Sequence, residues 1–254
     1  MLRSLLFLTL AAAALPGCAK DDPASPTANA AAAVQAGIKA MGADVDVKAV
    51  LPTPIPGVVE VRTEHEVLYF SADGRYLIAG DMLEVATQTN LTEGARAVQR
   101  AALLATSNSA DHVVFKADGG SKRRILVFTD VTCGYCQKLH SEVPALVAAG
   151  VTVEYLAWPR GGPRSEGYAV MQSVWCTKEG DRPAAYDKAM AGESLPATRC
   201  VDVIRKQYEL GEKLSVAGTP AIFDTEGRQL GGYLSAEEII KALDRTAPQS
   251  VAKK

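Results

Sequence analysis

Residues 127–140, VFTDVTCGYCQKLH, constrain this chain more than any other stretch. An apolar β-type run stops at Asp130, and Cys133 and Cys136 follow where a helix should begin. Cysteines three apart at a helix start lie one turn apart on nearly the same face, so their sulfurs can close into a small disulfide ring. Cys133 is expected at an exposed rim, where unpaired N–H groups and the positive end of the helix dipole favour thiolate over thiol. That makes Cys133 the candidate nucleophile and Cys136 the candidate resolving thiol, with Gly134 and Tyr135 between them. The pair reads as a redox-active dithiol, a Cys133/Cys136 couple that needs no other cofactor. Half of a zinc site is the competing reading, but a zinc ribbon requires a second ligand pair nearby. Cys176 and Cys200 stand singly and His140 is the only histidine close by, so no metal is expected. His140, two turns beyond Cys133, is too far to act as a direct base and reads as a surface or packing residue.

Residues 1–18 read as an export signal: Met1, a single Arg3, an apolar run from Leu5 to Leu15, then Leu15-Pro16-Gly17-Cys18. The run is too short for a bilayer span, and only polar chain follows. Leu15 and Gly17 ahead of Cys18 resemble the bacterial lipoprotein signal, in which Cys18 becomes the acylated first residue of the mature chain. Ordinary signal-peptidase cleavage with an incidental Cys18 is the alternative; lipidation is favoured because an odd cysteine in an exported protein needs an explanation. Export implies an oxidising, disulfide-permissive compartment. Of the five cysteines, Cys176 and Cys200 then remain for a second disulfide, closing a loop of roughly 25 residues and contributing about 3 kcal/mol in the chain-entropy model. A structural role is expected, because no helix-start motif surrounds either one as a second redox couple would require. A net charge of −2 supplies no global basic field, so nucleic acid is not a favoured partner.

Residues 19–33, rich in Ala, Pro, Ser, Thr, Asn and Asp, read as a flexible tether without fold. A small α+β unit is expected over 34–88: a helix at 34–41 and, after Pro52, Pro54 and Pro56, strands at 58–61, 67–71 and 76–79, with Asp73-Gly74 as a hairpin turn. It is small for an independent core. Pairing of an exposed edge across a two-fold axis would give an isologous dimer, and a packing subdomain is the alternative. A linker helix follows within 89–108, capped by Asn90 or Thr92, with Ala95, Val98, Ala102 and Leu103 on its apolar stripe and Arg96 and Arg100 opposite.

From His112 the pattern alternates between β and α over 109–246, followed by a tail at 247–254. Strands are expected at 113–116, 124–129 and 151–158, a helix from Cys133 to about 150, and helical chain over 164–214. Then come Pro220 immediately before an apolar strand, a Glu226-Gly227 turn, a strand at 229–233 and a helix at 236–243. That order is thioredoxin-like, an α/β class. More chain separates Cys136 from Thr219 than a minimal fold of this kind needs, so a helical insertion carrying Cys176 and Cys200 is expected.

The motifs FTDVTCGYC at 128–136, YLAWPR at 155–160, Trp175-Cys176, MAG at 190–192 and GTPA at 218–221 together resemble the bacterial periplasmic DsbC/DsbG disulfide isomerase family. The resemblance covers nearly everything after the tether, and Gly134-Tyr135 is similar to the isomerase branch. It implies a thioredoxin-like catalytic domain with a helical insertion, preceded by a small α+β N-terminal dimerisation domain and a linker helix. It also implies that Cys133 attacks, that Cys136 resolves, that Cys176 and Cys200 form the structural disulfide, and that Thr219 and a cis Pro220 form the substrate-binding loop. The implied activity is rearrangement of wrong disulfides in misfolded exported proteins, by a V-shaped homodimer with an apolar cleft, kept reduced by a membrane protein of the DsbD type. A thiol oxidase or reductase of the same fold, or a holdase chaperone, are the alternatives. Two features depart from the pattern: Cys18 suggests a lipoprotein, and Val127 stands where thioredoxins keep a buried acid, with Asp130 the nearest carboxylate.

Overall fold

The computed structural model describes residues 26–117, 119, 123–198, 200 and 203–246. The expected export segment, acylation at Cys18 and the tail at 247–254 lie outside these residues.

The chain begins with helix α1 (Pro26–Ala40), which crosses an antiparallel sheet of order β1-β2-β3-β4: β1 (Ala49–Pro52), β2 (Val58–Arg62), β3 (Val67–Ser71) and β4 (Leu77–Ile78). Ala30, Val34 and Ile38, four apart on one helix face, pack on Val59, Val61 and Phe70. Full burial of the Val34 and Ile38 side chains stabilises this unit by about 2 kcal/mol each. Residues 26–33 are therefore helix and not tether. Their alanine run has the highest helix propensity of any residue type, and Pro26 occupies the first helical position, where its missing N–H costs nothing. Strand β1 lies in the proline-rich stretch, which the sequence pattern does not mark as a strand; it is at the sheet edge, where a terminal proline is tolerated. The Asp73-Gly74 turn forms as expected, with Gly74 at φ +71° and so close to α1 that a Cβ there would meet the Ala33 carbonyl.

A short ladder of β5 (Leu83–Glu84) and β6 (Thr89–Asn90) leads into helix α2 (Leu91–Leu104). Asn90 caps it, its Oδ1 accepting the Glu93 N–H at 2.9 Å. The buried positions differ from the expected stripe: Thr92, Ala95, Ala97 and Leu104 are covered, while Val98 is exposed. The helix has neighbours on two sides. On one, the Thr92 and Tyr69 hydroxyls meet at 2.6 Å; on the other, Arg100 Nε donates to the Gly227 carbonyl at 2.7 Å.

The remaining chain builds a five-stranded sheet of order β11-β10-β8-β9-β7, comprising β7 (Val113–Phe115), β8 (Arg123–Thr129), β9 (Val151–Ala157), β10 (Ala221–Asp224) and β11 (Gln229–Gly231). The central pair β8 and β9 is parallel, and β7, β10 and β11 join antiparallel. Strand β8 is buried on both faces, which is why its sequence is a continuous apolar run. Ile125 and Val127 face a core shared with Leu139, Met171, Trp175 and Ile239, and Leu126 and Phe128 face a second core with Leu104, Leu210 and Leu214.

The helix expected over 133–150 is two helices, α3 (Gly134–Ser141) and α4 (Val143–Ala148), because Pro144 sits in the first turn of α4 and cannot continue α3. Helices α5 (Glu166–Trp175), α6 (Arg182–Met190) and α7 (Val203–Lys213) make up the expected insertion, and α8 (Ala236–Thr246) closes the described chain. A disulfide joins Cys176, at the end of α5, to Cys200, with a Cα separation of 5.2 Å. Among the described residues no helix is long and apolar enough to cross a membrane.

Candidate active site

Strand β8 ends at Thr129, a tight turn follows, and Cys133 is the N-cap residue of α3. Its carbonyl accepts the N–H groups of Cys136 at 2.9 Å and Gln137 at 3.0 Å, which places its sulfur at the positive end of the helix. The expected exposed rim is not what the fold provides, since Cys133 is only 3% exposed. The Thr219-Pro220 loop, whose peptide bond is cis, lies against it, and the Cys133 Sγ donates to the Thr219 carbonyl at 3.3 Å. Gly134 and Tyr135 open α3. The Tyr135 side chain is 64% exposed and faces the Tyr233 ring at 6.2 Å, with Lys138 Nζ over that ring at 4.4 Å.

The two sulfurs live in opposite electrostatic surroundings. Burial works against the Cys133 thiolate, but the donors around it, the Thr219 hydroxyl, Cys136 and the Tyr135 N–H, outweigh it and hold its pKa below the ordinary thiol value. Cys136, fully buried one turn inward, is pushed up to about 11 by burial, and bonds from Thr129, Asp130 and Thr219 offset only part of that.

Asp130 is buried beneath the turn that precedes Cys133. Its Oδ1 accepts the Thr132 N–H at 2.9 Å and the Thr132 hydroxyl at 2.7 Å, and its Oδ2 accepts the Arg160 N–H at 2.9 Å and Nε at 3.1 Å. Burial opposes ionisation of Asp130, and the Arg160 and Thr132 bonds together overcome it, leaving the pKa lowered. With every bond spent on the turn, Asp130 is a clamp that sets where Cys133 stands. Arg160 ends the YLAWPR motif; the motif was legible, and the clamp was not, because it joins segments 30 residues apart.

On the inner side of Cys136, the Thr129 and Tyr186 hydroxyls meet at 2.8 Å. His140 packs among Phe115, Tyr155 and Tyr186, and its Nε2 bonds to Asp187 at 2.9 Å. A groove of about 500 Å³ runs beside the start of α3, bounded by Val131, Thr132, Gln137, Val170 and Leu195. A cavity of about 1070 Å³ lies against His112, Arg124 and Glu154 and includes neither thiol. Among the described residues no three His, Cys, Asp or Glu side chains come together to hold a metal ion.

The parallel pair β8 and β9, the helix that starts at Cys133 and the loop at Pro220 define a thioredoxin-like protein of the thiol-disulfide exchange class. Residues 111–247 match the thioredoxin-like domain family, and residues 24–93 match the disulfide bond isomerase protein N-terminal domain. The chain is 36% identical over 255 residues to the thiol:disulfide interchange protein DsbC of Salmonella typhimurium, covering 100% of both chains. It is 37% identical over 215 residues to DsbC of Escherichia coli K12, covering 84% of this chain and 87% of that one. Among solved structures, a disulfide interchange protein from Neisseria gonorrhoeae matches 54% of this chain and 97% of its own at 25% identity, with a TM-score of 0.46. The chain belongs to the DsbC family of thiol:disulfide interchange proteins.

Proposed function

We propose that this protein is a disulfide isomerase and reductase in which Cys133 is the attacking thiolate and Cys136 the resolving thiol. One observation carries the assignment: two cysteines on one helical turn, the first with its thiolate favoured and the second with its thiolate opposed by burial. The Cys133 thiolate attacks one sulfur of a substrate disulfide, forming a new S–S bond and releasing the other substrate sulfur as a thiolate. That thiolate can attack elsewhere in the substrate until a substrate sulfur displaces Cys133, which rearranges disulfides with no net electron transfer. Alternatively Cys136 attacks the Cys133 sulfur, the substrate leaves reduced by two electrons, and a Cys133–Cys136 disulfide stays behind. The couple itself serves as the redox group, and no other cofactor enters the step.

Thr219 and Pro220 border the substrate path, and the Thr219 carbonyl beside Cys133 Sγ supports that role. The substrates are misfolded exported chains, with the mixed polar and apolar groove beside α3 and the exposed Tyr135 as contacts. Homodimerisation through the N-terminal sheet is supported by its edge, where Tyr76, Leu77 and Ile78 on and beside β4 are all exposed. The export segment at 1–18 supports a periplasmic location, with Cys18 as an acyl anchor. Cycling requires a reductase of the DsbD type to return Cys133 and Cys136 to dithiol.

Refolding of scrambled ribonuclease tests the assignment. Activity should return with the wild type and vanish in Cys133→Ser. A wild type that only suppresses aggregation, and does so equally with both thiols replaced, would make the protein a holdase instead.

A further inference from the structure

Resolution requires Cys136 to lose a proton, yet its sulfur lies out of contact with solvent. The nearest carboxylate in sequence, Asp130, is fully engaged by Thr132 and Arg160, and residue 127, facing the same core, is valine. Polar atoms inward of Cys136 form a hydrogen-bonded pair and a hydrogen-bonded trio around one buried aromatic layer. Thr129 Oγ1, whose side chain favours the Cys136 thiolate, meets the Tyr186 hydroxyl at 2.8 Å. The Tyr155 hydroxyl meets His140 Nδ1 at 3.4 Å, and His140 Nε2 meets Asp187 Oδ1 at 2.9 Å. The Tyr155 and Tyr186 rings lie between the pair and the trio, with centroids 4.5 Å apart and planes tilted by 31°. Asp187 is the outer end of this track, its side chain 57% exposed to solvent.

We propose that His140, oriented by Asp187, takes up the proton that Cys136 releases when it attacks the mixed disulfide, through Thr129, Tyr186 and Tyr155. The inference rests on the thiol-exchange reading above. The geometry fixes the roles. A carboxylate on Nε2 holds that nitrogen as N–H, which leaves the Nδ1 lone pair for the Tyr155 hydroxyl, the same division of labour as in an Asp-His-hydroxyl triad. Each hydroxyl passes on its own proton as it receives one. Cys136 therefore becomes a thiolate and His140 an imidazolium, with the phenols neutral throughout. The Cys136 sulfur then bonds to the Cys133 sulfur, and the substrate sulfur departs with the electron pair of the broken bond. Two links are not closed by a hydrogen bond at rest, from the Cys136 sulfur to Thr129 Oγ1 and between the two phenols, whose ring centroids lie 4.5 Å apart, and both must close transiently for the proton to pass.

The surroundings of His140 suit a base that starts neutral. Tyr155 faces it from β9, Tyr186 and Asp187 from α6, the uncharged Phe115 from β7, and Cys136 precedes it by one turn on α3. Burial lowers the His140 pKa more than Asp187 raises it, so the ring is unprotonated at about pH 7. Both tyrosines are held well above the usual phenol range, Tyr155 by burial and then by the Cys136 and Asp187 charges, so neither ionises on its own. His140 is a positioning and proton-accepting residue that acts through its neighbours, at a distance from the reacting sulfurs.

Stopped-flow reaction of the reduced full-length protein with dithiobis(nitrobenzoate) separates the steps. Cys133 attack releases one coloured thiolate and Cys136 resolution a second. His140→Gln and Tyr155→Phe, which preserves the ring packing, should each slow the second release about tenfold or more near pH 7 relative to the first. Asp187→Asn should slow it severalfold, because the tautomer is no longer fixed. The deficit should close as pH rises toward the Cys136 value of about 11, where a growing fraction of the molecules already holds Cys136 ionised before the attack. A second release unchanged in His140→Gln, or slowed by one factor at every pH, would overturn the proposal. Failure of the wild type to give even the first release would instead sink the thiol-exchange reading itself.

Discussion

The Cys133 sulfhydryl and the Thr219 carbonyl meet at 3.3 Å although 86 positions separate them in sequence. The chemistry of the first cysteine is therefore assembled from two distant segments, the start of α3 and the loop that enters β10. Alkylation by iodoacetamide across pH should report it. Cys133 should react with a midpoint below that of an ordinary thiol, because its pKa is lowered, and Cys136 should stay silent until pH approaches about 11. Thr219→Val removes a buried hydroxyl that makes no hydrogen bond while Cys133 is a thiol but is placed to donate to its thiolate, and should move the Cys133 midpoint upward. A midpoint unmoved by that change would mean that the loop plays no part in activating Cys133.

The Asp130 clamp carries a stability prediction with a definite sign. The folded-state pKa values of Asp130 and Glu154 are both depressed. Their stabilising contribution is therefore present above the unfolded carboxyl values near pH 4 and is lost as pH falls through the lower folded values. Urea midpoints should decline steeply in acid. Asp130→Asn should cost about 2 kcal/mol at neutral pH, through the bonds lost to Thr132 and Arg160, and its acid decline should be shallower than that of the wild type. Parallel acid profiles would rule out Asp130 as a contributor.

The Cys176–Cys200 disulfide staples the insertion at a point that touches neither sulfur of the candidate site. Replacing both cysteines by alanine should lower unfolding free energy by about 3 kcal/mol while thiol exchange by Cys133 persists at moderate temperature. Loss of exchange in a variant that circular dichroism shows to be folded would assign the bridge a catalytic part.

Helix α2 docks on the catalytic domain through a glycine. Gly227 lies at φ +78°, and a Cβ there would collide with the Ala97 carbonyl and the Ala101 N–H of that helix. Gly227→Ala should cost about 2 kcal/mol, from the strained conformation and the lost contact together, and should raise amide exchange in residues 97–101. Unchanged exchange there would show that the helix is held by other contacts.

Much of this arrangement was legible in the sequence because it is encoded locally. The Val127 to Cys136 stretch announces a buried strand followed by a helix start, Pro220 announces the edge of β10, and the Asp73-Gly74 turn fixes a hairpin. What escaped depends on convergence of distant segments. The burial of Cys133 could not be read at Cys133, since its cover is the Thr219 loop. His140 packs as its place on the helix suggests, but its partners Phe115, Tyr155, Tyr186 and Asp187 come to it from β7, β9 and α6 and could not be read beside it in the sequence. Two differences are local: the composition of the segment beginning at Pro26 suggests tether while its helix propensity is the stronger signal, and Pro144 divides α3 from α4 where the apolar pattern alone runs on.

The central claim is that Cys133, and not Cys136, forms the covalent bond to substrate. Mixing scrambled ribonuclease with the Cys136→Ser variant and mapping the trapped species by mass spectrometry tests it most directly. The account predicts a mixed disulfide through Cys133 that accumulates because nothing resolves it, and no adduct with Cys133→Ser. An adduct through Cys136 in the Cys133→Ser variant, formed as fast as the one through Cys133, would contradict it.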